Sequence, residues 1–169
     1  MASREDLIKI YEFALGQEYT GRDFFSSSIN RMGVGAAVSA FKRLIEEEDK
    51  HIEFINSILE NLRSGNEPDI PSTVDIEPEI HNYFDARAKS EFLQQTLYES
   101  MIPDVTVFNT AWLIEKDLSD YYSKMAGLTE GQASKALSML ADWEKKHEEF
   151  FREYRDALSQ RYSQMPWGG

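Results

Sequence analysis

Cysteine is absent from the 169 residues, which rules out disulfides, thiolate-held zinc or iron, and thiol catalysis together. Any metal must therefore be held by carboxylates and imidazoles. Basic side chains are outnumbered, 18 Lys and Arg against 30 Asp and Glu, and the formal charge of −12 would repel nucleic-acid phosphates or an anionic membrane surface. Cations are the better guests. No stretch approaches the ~20 apolar residues of a membrane span. The opening Met-Ala-Ser-Arg-Glu-Asp also lacks the apolar core of a signal peptide, so the expectation is a soluble, cytoplasmic protein. Histidine occurs only at positions 51, 81 and 147. The remaining composition, 41% apolar and 28% charged, suits a single domain over residues 1–162 with a flexible tail at 163–169.

The apolar residues recur at helical spacing, and each helical stripe is interrupted by a carboxylate. A first helix, capped by Ser3 and running to about Asn30, carries Ile8, Tyr11, Leu15, Glu18, Phe25 and Ile29 on one face. The Gly33-Val34-Gly35 break leads to a second helix reaching Arg63, with the stripe Phe41, Leu44, Ile45, Glu48, Ile52, Ile55, Leu59 and a close at Ser64-Gly65-Asn66. Gly33 lies fifteen residues from both Glu18 and Glu48, so the arms of this hairpin are equal and the two carboxylates reach the same height. His51, one turn beyond Glu48, shares its face.

Prolines 68, 71 and 78 mark a connection, and residues 66–102 are expected to form a long crossover with a helical segment bearing Tyr83, Phe84, Phe92 and Leu93. Those apolar side chains are expected on the bundle or at a homodimer interface. A third helix, from about Pro103 to Met125 and closed by Gly127, presents Phe108, Ala111, Trp112, Glu115, Leu118 and Tyr122. A capping box at Thr129-x-x-Gln132 is expected to start a fourth, from about Glu130 to Gln160, presenting Leu137, Leu140, Ala141, Glu144, His147 and Phe151. The fold expectation is an all-α antiparallel four-helix bundle, up-down-down-up, whose crossover lets helices two and three run parallel.

An internal repeat links the two halves. Ala14-x-x-x-Glu18 followed by Phe24-Phe25 is matched, 97 residues on, by Ala111-x-x-x-Glu115 followed by Tyr121-Tyr122. Glu48-x-x-His51 recurs 96 residues on as Glu144-x-x-His147. Burying an unpaired carboxylate costs several kcal/mol or neutralises it, so each of the four at one level of a bundle is either solvated or has a cation. Four glutamates and two histidines are the ligand set of dinuclear carboxylate bundles. Glu18, Glu48, His51, Glu115, Glu144 and His147 are thus the candidate ligands, with no catalytic residue expected beyond them. His81 lacks a carboxylate three residues before it and is left out. Glu46, Glu47, Asp49 and Glu148 are read as a solvated charge run, with Glu148 alone considered for a supporting role; Trp112, Tyr121 and Tyr122 are read as core aromatics, with electron donation by a phenol as the lesser alternative.

At these residues, over about 8–62 and 105–160, the chain resembles the rubrerythrin-like branch of the ferritin-like superfamily. The resemblance implies Glu18 and His51 on one metal, Glu115 and His147 on the other, and Glu48 and Glu144 bridging. True rubrerythrins add a four-cysteine rubredoxin iron, which this chain cannot form, so an external electron donor is implied. They also carry a second carboxylate on helix three; here Trp112 and Leu118 flank Glu115 instead, giving a symmetric six-ligand form. The expected function is a di-iron oxidoreductase reacting with hydrogen peroxide or dioxygen, using two Fe ions, although Mn or a mixed pair suits the same ligands. The alternatives are a ferritin-like ferroxidase handling ferrous iron, and a metal-bound sensor or binding module.

Overall fold

A computed structural model describes residues 2–30, 36–70 and 105–164. Four helices account for nearly all of them: α1 Arg4–Ile29, α2 Ala36–Arg63, α3 Val105–Leu128 and α4 Gly131–Gln164. The ends follow local chemistry. Ser3 accepts from the Asp6 amide while the Asp6 carboxylate takes the Ser3 amide, a reciprocal cap at the start of α1. α2 ends in a Schellman motif: Gly65, at φ +85°, and Asn66 donate back to Leu62 and Asn61.

The α3–α4 turn differs from its sequence expectation. Gly127 does not close α3, which runs on to Leu128. The Thr129 hydroxyl donates back to the Met125 carbonyl, and Ser134 donates to Ala126, so these side chains satisfy the last carbonyls of α3 rather than opening α4. Gly131 makes the turn at φ +69°. α4 also continues four residues past its expected end, to Gln164. The expected crossover helix, with Tyr83, Phe84, Phe92 and Leu93, lies outside the described residues, as do His81 and Pro103.

Interhelical bonds give the directions. Arg4 meets Gly65 and Arg63 meets Glu12 at one end of α1, while Arg22 meets Asp49 further along, so α1 and α2 are antiparallel. Ser119 bonds the Ala141 carbonyl and Arg155 bonds Asn109, making α3 and α4 antiparallel. Tyr121 bonds the Ile10 carbonyl while Ile114 lies beside Gly21, so α3 also opposes α1. The chain is an up-down-down-up four-helix bundle. Where α1 and α3 cross, a β-carbon on Gly21 would stand 3.4 Å from Ile114 Cγ2.

The core comes in two parts. One, around Tyr11, Ile55, Leu59, Tyr122, Leu137 and Leu140, fills the end bearing the α1 N-terminus. The other is largely aromatic: Phe25 stacks on Phe151 at 5.7 Å, and Phe41 meets both Phe25 and Phe108 edge-on. Between them lies a layer of buried charge. Among the described residues no helix is long and apolar enough to cross a membrane.

Candidate metal centre

Each helix contributes to the charged layer from its inward stripe: Glu18 from α1, Glu48 and His51 from α2, Glu115 from α3, Glu144 and His147 from α4. Five of the six have no exposed surface and His51 has 1%. All six sequence candidates are brought together. They fall into two overlapping groups, Glu18, Glu48, His51 and Glu144, then Glu48, Glu115, Glu144 and His147. Within each group one ligand atom per residue lies within 4.8 Å of the others. Glu48 and Glu144 belong to both, as carboxylates shared by two ions would.

The histidines present Nδ1 to the cluster. That of His51 lies 2.7 Å from Glu144 Oε1 and 3.7 Å from both Glu18 Oε2 and Glu48 Oε2. That of His147 lies 3.1 Å from Glu48 Oε1, 3.5 Å from Glu144 Oε2 and 3.8 Å from Glu115 Oε2. Despite this crowding, neither Nδ1 makes a directed hydrogen bond, nor does any carboxylate oxygen of Glu48, Glu115 or Glu144, nor Oε2 of Glu18. Atoms packed this closely without being aimed at one another fit ligands converging on shared points, since buried polar atoms otherwise find partners.

The electrostatics agree with the geometry. Burial pushes the Glu18 and Glu115 carboxyls well above the ordinary carboxylate range, and the charge on Glu144 adds to the push. Burial opposes charge on Glu144 too, but His51 chiefly holds it well below that range. Glu48 is lowered, with burial and Glu144 opposing the shift and His51 and His147 prevailing. Burial disfavours the imidazolium of His51, yet Glu144 and Glu48 raise it well above its usual value; Glu115 and Glu144 do the same for His147. Without metal, protons therefore supply the positive charge that four buried carboxylates demand. Two divalent cations could replace those protons on the same atoms, so the residues present fit a pair of oxygen- and nitrogen-ligated ions.

Two neighbours complete the site. Glu47, expected to be solvated, is 2% exposed, and its carboxylate lies 2.6 Å from His147 Nε2. Such a bond fixes the ring and makes its other nitrogen a better ligand. The signal was in the sequence: Leu44, Glu47, His51, Phe54 and Ile58 form an inward stripe at helical spacing beside the one through Glu48. Tyr122 is buried as expected of a core aromatic, but its hydroxyl also donates to Glu18 Oε1. Burial and the Glu18 charge raise that phenol well above its usual value, so it stays a donor. Of the other flanking acids, Glu46 pairs with Arg43 in the open and Asp49 with Arg22. Glu148 is buried beside Lys145. Trp112 lies under the Arg155 guanidinium, 4.2 Å from its ring centre.

A four-helix bundle with a buried layer of four carboxylates and two imidazoles defines a dinuclear-type carboxylate protein. The rubrerythrin family matches residues 9–155, most of the chain, and the protein belongs to that family. Compared with curated proteins and with solved structures, it has no significant match in either.

Proposed function

We propose that this protein is a di-iron carboxylate oxidoreductase that reduces hydrogen peroxide or dioxygen. Glu18 and His51 would hold one iron, Glu115 and His147 the other, and Glu48 and Glu144 would be shared between the two. The observation that carries this reading is the overlap of two buried ligand groups in those two glutamates. Bound there, the irons would supply electrons from two adjacent centres and a clamp for both oxygens of the oxidant. The chain's own residues do the rest. The aromatic layer of Phe25, Phe41, Phe108 and Phe151 keeps water from one side of the cluster, and Tyr122 and Glu47 fix the orientation of Glu18 and His147. Reducing one peroxide to two waters consumes two electrons and two protons. With no cysteine in these residues to hold a further, thiolate-bound iron beside the pair, the electrons come from a separate donor.

The test is metal analysis of protein isolated from its own source, then stopped-flow spectroscopy of the reduced form with peroxide and with dioxygen. Two irons per chain, retained through repeated consumption of peroxide, is the expected result. The charge of −12 favours cation entry and supports a second reading, a ferroxidase, which an iron load far above two per chain would establish instead. Zinc alone in native material would overturn both, and occupancy without turnover would leave a sensor or binding module.

A further inference from the structure

The internal repeat breaks at two places beside the cluster, and both breaks favour the same metal position. Glu47 corresponds to Trp143 at the offset of 96 that relates Glu48 to Glu144 and His51 to His147. The pair is not equivalent in the fold. Glu47 bonds Nε2 of His147, whereas Trp143 lays its indole along His51, ring centres 5.3 Å apart and planes 15° from parallel. One imidazole is made more basic by a carboxylate behind it. Among the described residues the other is only packed.

The second break is at the end carboxylates. Tyr122 corresponds to Phe25 at the offset of 97 that relates Glu18 to Glu115. The Tyr122 hydroxyl occupies Oε1 of Glu18, leaving Oε2 without a partner. Phe25 has no hydroxyl to offer Glu115, and both Glu115 oxygens are without hydrogen-bond partners. Glu115 can therefore grip an ion with two oxygens where Glu18 has one to give. An ion beside Glu115 and His147 meets the better carboxylate and the better imidazole; an ion beside Glu18 and His51 meets the poorer of each.

Building on the two-metal reading, we propose that the positions are unequal and fill in order: the Glu115–His147 position binds first and tightly, and the Glu18–His51 position holds the weaker, exchangeable ion. Glu47 and Tyr122 are the positioning residues that create the difference.

The experiment is a calorimetric titration of the full chain, stripped by a chelator, with Co(II), which is not oxidised by air as ferrous iron is. Wild type should bind two ions in steps at least ~10-fold apart. Loss of an outer partner of a metal-bound histidine typically costs ~10–100-fold in affinity, so Glu47→Gln should weaken the first step by that factor and spare the second. Tyr122→Phe, which frees Glu18 Oε1, should act oppositely and tighten the second step. Circular dichroism verifies that each variant folds, and the two variants predict changes of opposite sign, so general destabilisation cannot imitate the result. Two indistinguishable steps in wild type, or equal weakening of both steps by Glu47→Gln, would overturn the proposal and leave the two-metal reading standing. Failure to bind two Co(II) ions at all would remove both.

Discussion

The hydroxyl of Tyr122 on α3 donates to Oε1 of Glu18 on α1, tying a fully buried phenol to a fully buried carboxyl across the bundle. Both groups are shifted toward their protonated forms, so the bond persists through the neutral range without metal. Replacing Tyr122 with phenylalanine removes the donor and strands the acceptor, which should cost the metal-free protein about 1–3 kcal/mol in urea unfolding. With Co(II) present the loss should shrink, because an ion can take the freed oxygen. An unchanged midpoint in the metal-free variant would show that the bond contributes nothing.

Glu48 and Glu144 are the carboxylates common to both ligand groups. Replacing either with alanine removes a shared anion and leaves two like-charged ions less screened from each other, so most of the metal should be lost. His51→Ala should lose one ion with less effect on the other, while His81→Ala should leave metal content unchanged. Elemental analysis after gel filtration gives the answer, and two ions per chain retained by Glu144→Ala would end the bridging assignment.

How much of this arrangement could be seen in the sequence depends on whether a residue repeats. The six cluster residues were legible because a carboxylate on an apolar stripe is costly and because each half repeats the other's spacing, two independent signals on the same positions. Glu47 does not repeat, and although it shares an inward stripe with Leu44 and His51 it also sits in the run Glu46-Glu47-Glu48-Asp49, whose composition argues for solvent. Its partner, His147, is a hundred residues away, and only the assembled bundle brings them together. The α3–α4 turn misled for a related reason. A threonine hydroxyl serves equally as a cap for the helix that follows or for the carbonyls of the one that precedes, and here the carbonyls of α3 win.

Stability should depend on pH in opposite senses with and without metal. In the metal-free fold, Glu18 and Glu115 keep protons that the unfolded chain loses above about 4.5, and His51 and His147 keep protons that it loses above about 6.5. The folded state then binds more protons than the unfolded one, and stability falls as pH rises. Glu48 and Glu144, lowered, set the acid limit: their contribution is lost as pH falls below the ordinary carboxylate value through their own. Urea midpoints in a chelator should therefore peak in weak acid and decline toward pH 8. Metal binding, which displaces those protons, should tighten over the same range and release protons, seen as buffer-dependent heats in calorimetry. A metal-free midpoint that rises from pH 5 to 8 would contradict the assigned protonation.

The aromatic layer next to the cluster should be costly to open. Phe151 stacks on Phe25 and meets Phe41 and Phe108 at 5.8 and 6.3 Å between ring centres, with no exposed surface. Phe151→Ala should destabilise the protein by about 3–5 kcal/mol, as other large-to-small core changes do. The loss should be similar with and without metal, since no ligand is removed; a loss confined to the metal-bound form would place Phe151 in the ligand shell instead.

Function and stability should separate most clearly at Glu115. Its two oxygens are buried and lack hydrogen-bond partners, and burial together with the charge on Glu144 makes its ionised form unfavourable. A side chain that is costly to the metal-free fold yet well placed for a cation is held there by what it binds, because removing a poorly satisfied buried polar group in favour of a packed apolar one stabilises folds. Glu115→Leu should therefore raise the metal-free stability by roughly 1–3 kcal/mol. The same variant should lose the ion expected beside His147, so added Co(II) should stabilise it far less than wild type, by the linkage between binding and folding. If Glu115→Leu unfolds at lower urea than wild type in a chelator, the carboxyl is a structural member of the layer, and its place as a ligand loses its energetic argument.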